Sequence, residues 1–251
     1  MCKAGQGECA NLTVDSQAPY TLRIGVAGSR RIPPERLPAI RESLRNLYSS
    51  IKVVFDKLSK VKVGEHLDSR DYEHNRVRLV SSLAEGIDRL AVDESLIPFE
   101  HELAAVIPFS VENYRMDFSP ENSVVDQKEG TCKQFDKLLE RLSLKNNQLC
   151  LIELDGNLDE RETAYRYCSQ VHMEHCDILI AIYDLSASSN VGTGATVTAA
   201  KLAGLPIIEA DINAPEVLKI ISSSKFGHQS RKLIFSEDSL EKELSLVLLP
   251  S

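Results

Sequence analysis

The chain has no tryptophan, and aromatic residues make up only 6% of its 251 residues. A stacking platform for single-stranded nucleic acid needs such rings, so their scarcity disfavours one. Basic residues are outnumbered: 29 Lys and Arg stand against 37 Asp and Glu, a formal net charge of −8. The chain lacks the cationic footprint of duplex binding, and nucleic acid is disfavoured as a partner. Lys225 to Lys232 is its one local basic stretch. The six cysteines, Cys2, Cys9, Cys132, Cys150, Cys168 and Cys176, form no CxxC pair. A zinc ribbon or thioredoxin-like site has no support, and no metal is expected. His172 and the run His175-Cys176-Asp177 could supply ligands by type. The stripe Ala164, Cys168, Val171 and His175 reads better as one helix face packed on a sheet. No secretory run precedes the cysteines, so reduced thiols in the cytoplasm are expected. The longest strand-type apolar run, Ile178 to Tyr183, is far below the ~20 residues of a spanning helix, and no membrane partner is expected. Neither GxGxxG nor a Walker GxxxxGK[ST] run occurs.

What is present is ordinary globular text, 43% hydrophobic and 26% charged. At about 150 residues per domain the length fits one large domain or two small ones. Residues 1–20 are polar and aperiodic and read as a flexible tail. Strand-type runs at Leu22–Ala27, Val77–Leu83, Leu103–Phe109, Gln148–Leu154, Asp177–Tyr183 and Pro206–Ala210 alternate with helical patterns. The helices are expected from Pro33 to Leu58, Gly86 to Leu96, around Phe135 to Leu142, Asp159 to Cys176 and Gly192 to Ala203. Residues 62–76 and 110–130 read as loops, the second long enough to be a lid or binding loop. A helix near 215–223, a strand at Leu233–Phe235 and a helix from Asp238 complete the expectation. Alternation of this kind predicts an α/β fold, a doubly wound and mostly parallel sheet with helices on both faces. One domain over 21–251 is expected, with 211–251 as a covering extension.

In such sheets ligands bind beyond the carboxyl ends of the strands. Four strand ends carry suitable residues. Gly28-Ser29-Arg30 offers a close backbone approach, a hydroxyl and a planar cation, or is a plain turn. Ser81-Ser82 ends a strand just before Gly86, which opens a helix whose amides face the same crevice; Asp88 suits its first turn as a dipole partner. Asp184 follows the most apolar strand and could hold a ribose hydroxyl or cap its own loop. Gly192-Thr193-Gly194 starts a small-residue helix, a ready anion cradle or a device for close helix–sheet packing.

With these elements in order, the chain resembles the SLOG superfamily, which joins DNA-processing A proteins and LOG phosphoribohydrolases. The resemblance covers roughly residues 21–212 and is most specific at Val80-Ser81-Ser82-Leu83-Ala84-Glu85-Gly86-Ile87-Asp88-Arg89-Leu90-Ala91, similar to an S-x-L-A-x-G-x-D run. A bacterial subgroup also resembles it at Val106–Phe109, Tyr114 with Asp117-Phe118, Arg161 with Ala164-Tyr165, His175–Ala181 and Gly192-Thr193. The resemblance implies a Rossmann-like fold that binds a nucleotide or nucleotide-derived molecule. It implies a pocket lined by Gly28, Ser29, Arg30, Ser82, Gly86, Gly192, Thr193 and Gly194, with Tyr114, Arg161 and Tyr165 as further candidates for ligand contact. No additional cofactor is required, and a homodimer is compatible with the resemblance. LOG enzymes carry a Glu soon after their Gly-Gly-x-Gly-Thr motif. Here Val191 to Ala200 holds no acid in the first two turns of the helix. Binding or sensing is therefore the leading reading, and nucleotide hydrolysis the alternative. Glu85 and Asp184 are the weak candidates for a catalytic acid, with Glu153 and Glu209 behind them. A DNA-processing role ranks third.

Overall fold

A computed structural model describes residues 21–62, 76–95, 101–124, 130–143, 149–186, 192–224, 227–234, 241–242 and 244–245. The expected tail 1–20, most of the 62–76 loop, the loop tip 187–191 and Lys225 lie outside the described residues. Leu22, Ile24 and Val26 alternate along the first strand, β1 (Thr21–Gly28), and all three are fully buried. Helix α1 (Leu37–Lys62) follows a short 3-10 turn at Pro34–Arg36, where a proline is tolerated because no intrahelical N–H is lost. Strand β2 (Arg76–Ser81), helix α2 (Ile87–Ser95), β3 (His101–Ile107), α3 (Val111–Arg115), α4 (Cys132–Ser143) and β4 (Leu149–Glu153) complete the first half. The second half holds α5 (Arg161–Glu174), β5 (Ile178–Tyr183), α6 (Thr193–Leu202), β6 (Ile207–Asp211), β7 (Ala214–Ser224) and β8 (Gly227–Ile234).

The eight strands form one sheet in the order β4-β3-β2-β1-β5-β6-β7-β8. The first six pair in parallel, and β7 and β8 join antiparallel. Alternate residues of the central strands feed two cores. On one face Ile24, Leu79, Ile107 and Ile180 meet α1, α2 and α4 through Leu44, Ile87 and Phe135. On the other, Val80, Val106 and Ala181 meet α5 and α6 through Cys168, Met173, Val197 and Ala200. Both faces are covered, as a parallel sheet requires. No described helix is long and apolar enough to cross a membrane.

Two expectations need correction. The stretch 215–223 is not a helix but part of β7. Val217, Leu218, Ile220 and Ile221 match helical spacing, yet they are β-branched-rich and lie in ladders, with Ile208 of β6 opposite Ile220 and Ile234 of β8 opposite Val217. The hairpin therefore continues the sheet. The second correction concerns 110–130, which is not all loop: Ser110 caps α3 by accepting from the Asn113 amide, and a 3-10 turn follows at Met116–Phe118.

Candidate functional site

Strand order reverses between β1 and β5: β2, β3 and β4 lie on one side, β5 and β6 on the other. That is a topological switch point, with its crevice at the carboxyl ends. The fold is Rossmann-like. A cavity of about 500 Å³ opens there on the α5–α6 side of the sheet. Its size suits a small organic ligand.

The β1 end supplies Gly28 and Arg30 to the lining, but not Ser29. Gly28 serves packing: a Cβ there would lie 2.3 Å from Ile87 Cβ and 2.6 Å from the Ile182 carbonyl oxygen. Gly86, at φ +78°, is shut in likewise, its Cβ position 2.3 Å from the Ser29 carbonyl oxygen, and it does not reach the cavity. The pair lets α2 dock on the β1 turn, where the Ile87 amide donates to Ser29 O at 3.1 Å. The Ser29 amide donates to Ile182 O at 3.0 Å, and the Gly28 amide donates to the Asp88 carboxyl. The amides expected to cradle a phosphate at this end are thus used within the protein.

Gly192 behaves differently. It sits at φ +67° before α6, and a Cβ there would meet no described residue within 4 Å. It lines the cavity with Thr193, Ala195 and Thr196, while Gly194 does not. The N-cap residue of α6, Gly192, has no side chain to cap its first turn, and no described side chain is seen to do so. Orphan amides at a helix start attract an anion.

Helix α5 forms the outer wall. Tyr165, Cys168 and His172 line the cavity along one stripe, and Glu162, Arg166 and Ser169 along the next. Arg166 makes no ion pair or hydrogen bond with a described residue. Arg161 lies just outside the lining; it donates to the Asp117 carboxylate and stacks its guanidinium over Phe109 at 4.8 Å. Tyr165 donates to the other Asp117 oxygen. His172 Nε2 lies 3.0 Å from the Val80 carbonyl oxygen, and burial lowers its pKa to about 4, so the neutral ring donates to that carbonyl. Burial pushes the Cys168 thiol up to about 12, which leaves it a poor nucleophile.

Ser82 and Tyr114 also line the cavity, with Phe118 and Pro108. Arg30 lines it, but its Nη2 donates to Glu85 at 2.7 Å and to the Asp117 carbonyl oxygen at 3.1 Å. The acids sequence reasoning nominated sit elsewhere. Glu85 is 1% exposed, outside the lining, and accepts from Ser123 and Thr131 hydroxyls at 2.5 Å and the Val124 amide at 3.2 Å. Burial raises its pKa, but these donors and Arg30 outweigh that and hold it below the ordinary value. Asp184 caps its own turn, accepting from the Ser186 amide at 2.9 Å. Glu153 binds the Val111 amide and Glu209 binds Tyr183 and Lys219; none of the three lines the cavity.

The acids that do line it are Asp88, Asp117 and Glu162. Asp88 is 4% exposed, and burial raises its pKa to about 7 against the pull of the Ser81 hydroxyl and the amides of Ala84, Gly28 and Ser82. Burial likewise raises Asp117, outweighing Arg161 and Arg30. Asp88 reads in sequence as a helix-dipole partner, and only the packing of α2 against β1 turns it toward the crevice. Glu162 and Arg166 left no signal beyond polar letters on a helix. Among the described residues no group of His, Cys, Asp and Glu is placed to hold a metal ion.

No family model and no curated protein matches the chain. Among solved structures it is similar to DNA processing protein A from Helicobacter pylori, described for its single-stranded DNA binding mode, at 15% identity and a TM-score of 0.42. The match covers 75% of this chain and 64% of that one, so the chain spans less than two thirds of that protein.

Proposed function

We propose that the chain binds a nucleotide or nucleotide-derived small molecule in the switch-point cavity. One observation carries the reading: a cavity of about 500 Å³ is lined both by a helix start with a cation and by aromatic rings. The start of α6 and Arg166, which has no ion-pair or hydrogen-bond partner among the described residues, suit a phosphate. Pro108, Tyr114, Phe118 and Tyr165, in the same lining, suit a flat ring. Thermal shift and calorimetry with nucleotides, cyclic nucleotides and ADP-ribose derivatives test this. Saturable binding that weakens in Arg166→Ala supports it; no binder at millimolar ligand refutes it. A small ligand is favoured over nucleic acid by the charge of −8, and a salt-sensitive gel shift would reverse that preference.

Asp88 favours a second reading, hydrolysis of a bound nucleotide. A carboxyl that keeps its proton near neutral pH inside a ligand cavity can act as a general acid. Release of free base or phosphate by the wild type, lost in Asp88→Asn, supports it. Turnover unchanged in that variant removes it.

A further inference from the structure

We infer that Glu162 reads the sugar of the ligand: its carboxylate accepts hydrogen bonds from the 2′- and 3′-hydroxyls of a ribose, so that the cavity selects ribonucleotides with a free vicinal diol over deoxyribonucleotides. The inference rests on the cavity being a nucleotide site, and adds which sugar it takes and which residue reads it.

Five charged residues line the cavity: Arg30, Asp88, Asp117, Glu162 and Arg166. Three are already occupied within the protein. Arg30 donates to Glu85. Asp88 accepts from the Ser81 hydroxyl at 3.3 Å and from the amides of Gly28, Ser82 and Ala84. Asp117 accepts from Arg161 and Tyr165. Glu162 and Arg166 differ: neither makes an ion pair or hydrogen bond with a described residue. They do not pair with each other either, although an acid four residues before a cation is the favoured order on a helix. The less favoured order does pair in this protein, Lys52 with Asp56 on α1 at 2.9 Å. Glu162 sits in the first turn of α5, where a carboxylate suits the helix dipole without using its hydrogen-bonding capacity. One acceptor-only group and one donor-only group therefore stand a turn apart on one cavity wall, both open to a ligand.

Helices α5 and α6 follow the parallel strands β4 and β5, so they run side by side in one direction. They meet where the Thr196 hydroxyl lies 3.0 Å from the Ser169 hydroxyl. Three residues earlier on each, Arg166 stands level with Thr193 at the start of α6, and Glu162 stands one turn, about 6 Å, further out. A phosphate held between Arg166 and the α6 start places the hydroxyls of its ribose at a similar remove, because the 5′-phosphate and the diol lie at opposite ends of the sugar. The base takes the rings of Tyr114, Phe118 and Tyr165. A carboxylate suits a vicinal diol because it offers two acceptor oxygens and no donor, while the diol offers two neighbouring donors. It does not suit the amino edge of adenine or cytosine, where a ring-nitrogen acceptor lies beside the N–H. Guanine, with two adjacent N–H groups, presents the competing feature.

Calorimetry at fixed pH and salt compares the four ribonucleoside 5′-monophosphates with their 2′-deoxy counterparts on the wild type, Glu162→Gln and Arg166→Ala. The wild type should bind the ribo form about ten-fold tighter, the effect of one hydrogen bond to a charged group. Glu162→Gln should cut that preference to about three-fold or less by weakening the ribo form alone. Arg166→Ala should weaken both forms alike and leave the ratio unchanged. Both side chains are exposed, so the variants keep the fold, which their urea midpoints check. Equal binding of the ribo and deoxy forms by the wild type overturns the inference and leaves the cavity reading standing. A ribo preference that survives in Glu162→Gln overturns it as well. So does a preference for guanine shared by its deoxy form, which would assign Glu162 to the base edge. If none of the eight nucleotides binds, the inference falls, while the cavity reading still rests on cyclic nucleotides and ADP-ribose derivatives.

Discussion

Replacing Asp88 with asparagine removes one proton-binding group and nearly nothing else in volume. The carboxyl's rise from 3.8 to about 7 corresponds to about 4 kcal/mol at 1.36 kcal/mol per pH unit. The sign follows from linkage. Between those two values the folded state holds a proton that the unfolded chain has released. The Asp88 contribution is therefore complete below pH 3.8 and lost as pH rises toward 7. Over pH 5 to 7.5 the loss is about 2 to 3 kcal/mol. Asparagine cannot titrate, so the variant lacks this slope. Urea unfolding of both proteins at pH 5, 6, 7 and 7.5 isolates it, because all other groups cancel in the difference. The variant should gain about 2 to 3 kcal/mol relative to the wild type across that range. A difference that stays flat with pH refutes the reasoning. It would mean that the Gly28, Ser82 and Ala84 amides keep Asp88 ionised throughout.

Gly28→Ala should destabilise by about 2 kcal/mol, because its Cβ meets Ile87 and the Ile182 backbone, and Gly192→Ala by about 1 kcal/mol, from its positive φ alone. Urea midpoints rank the two, and the reverse order would sink the packing argument. Glu85→Gln should cost about 3 kcal/mol and speed hydrogen exchange in residues 114–124, since Arg30 and Arg89 lose their buried counter-charge. Unchanged exchange there would remove Glu85 as the anchor. Arg166→Ala should leave stability within about 0.5 kcal/mol and weaken any phosphate-bearing ligand about ten-fold, read by urea unfolding and calorimetry. Undiminished affinity would place the phosphate elsewhere.

The alternation of apolar runs with helical stripes made the parallel sheet legible, because strands buried on both faces leave unbroken apolar text such as Ile178 to Tyr183. The α6 start was legible for a related reason: glycine beside threonine at a helix entry has few uses. Gly28 and Gly86 show the limit. A glycine required by close packing and one required by a ligand look identical until the neighbouring atoms are known. Asp88 and Glu85 show another. Three residues apart on one turn, they face different surroundings, and the cavity takes the one that had read as a dipole partner. The α5 wall was hidden because Glu162 and Arg166 are ordinary surface letters on a helix. β7 was misread because its isoleucine and leucine spacing satisfies two periods at once.

The seam between β1 and β5 joins chain segments far apart: Arg23 and Asp177, hydrogen-bonded across it, are separated by 154 residues. The neighbouring pairings of the first half, and the β7–β8 hairpin, close much shorter loops. Chain-closure entropy delays the longest connection. Both halves of the sheet can be assembled before that seam forms, and the cavity has no inner wall until it does. Formation of the cavity is thereby coupled to a late, long-range step of folding, and a chain stalled short of it would carry most of its secondary structure and none of the crevice.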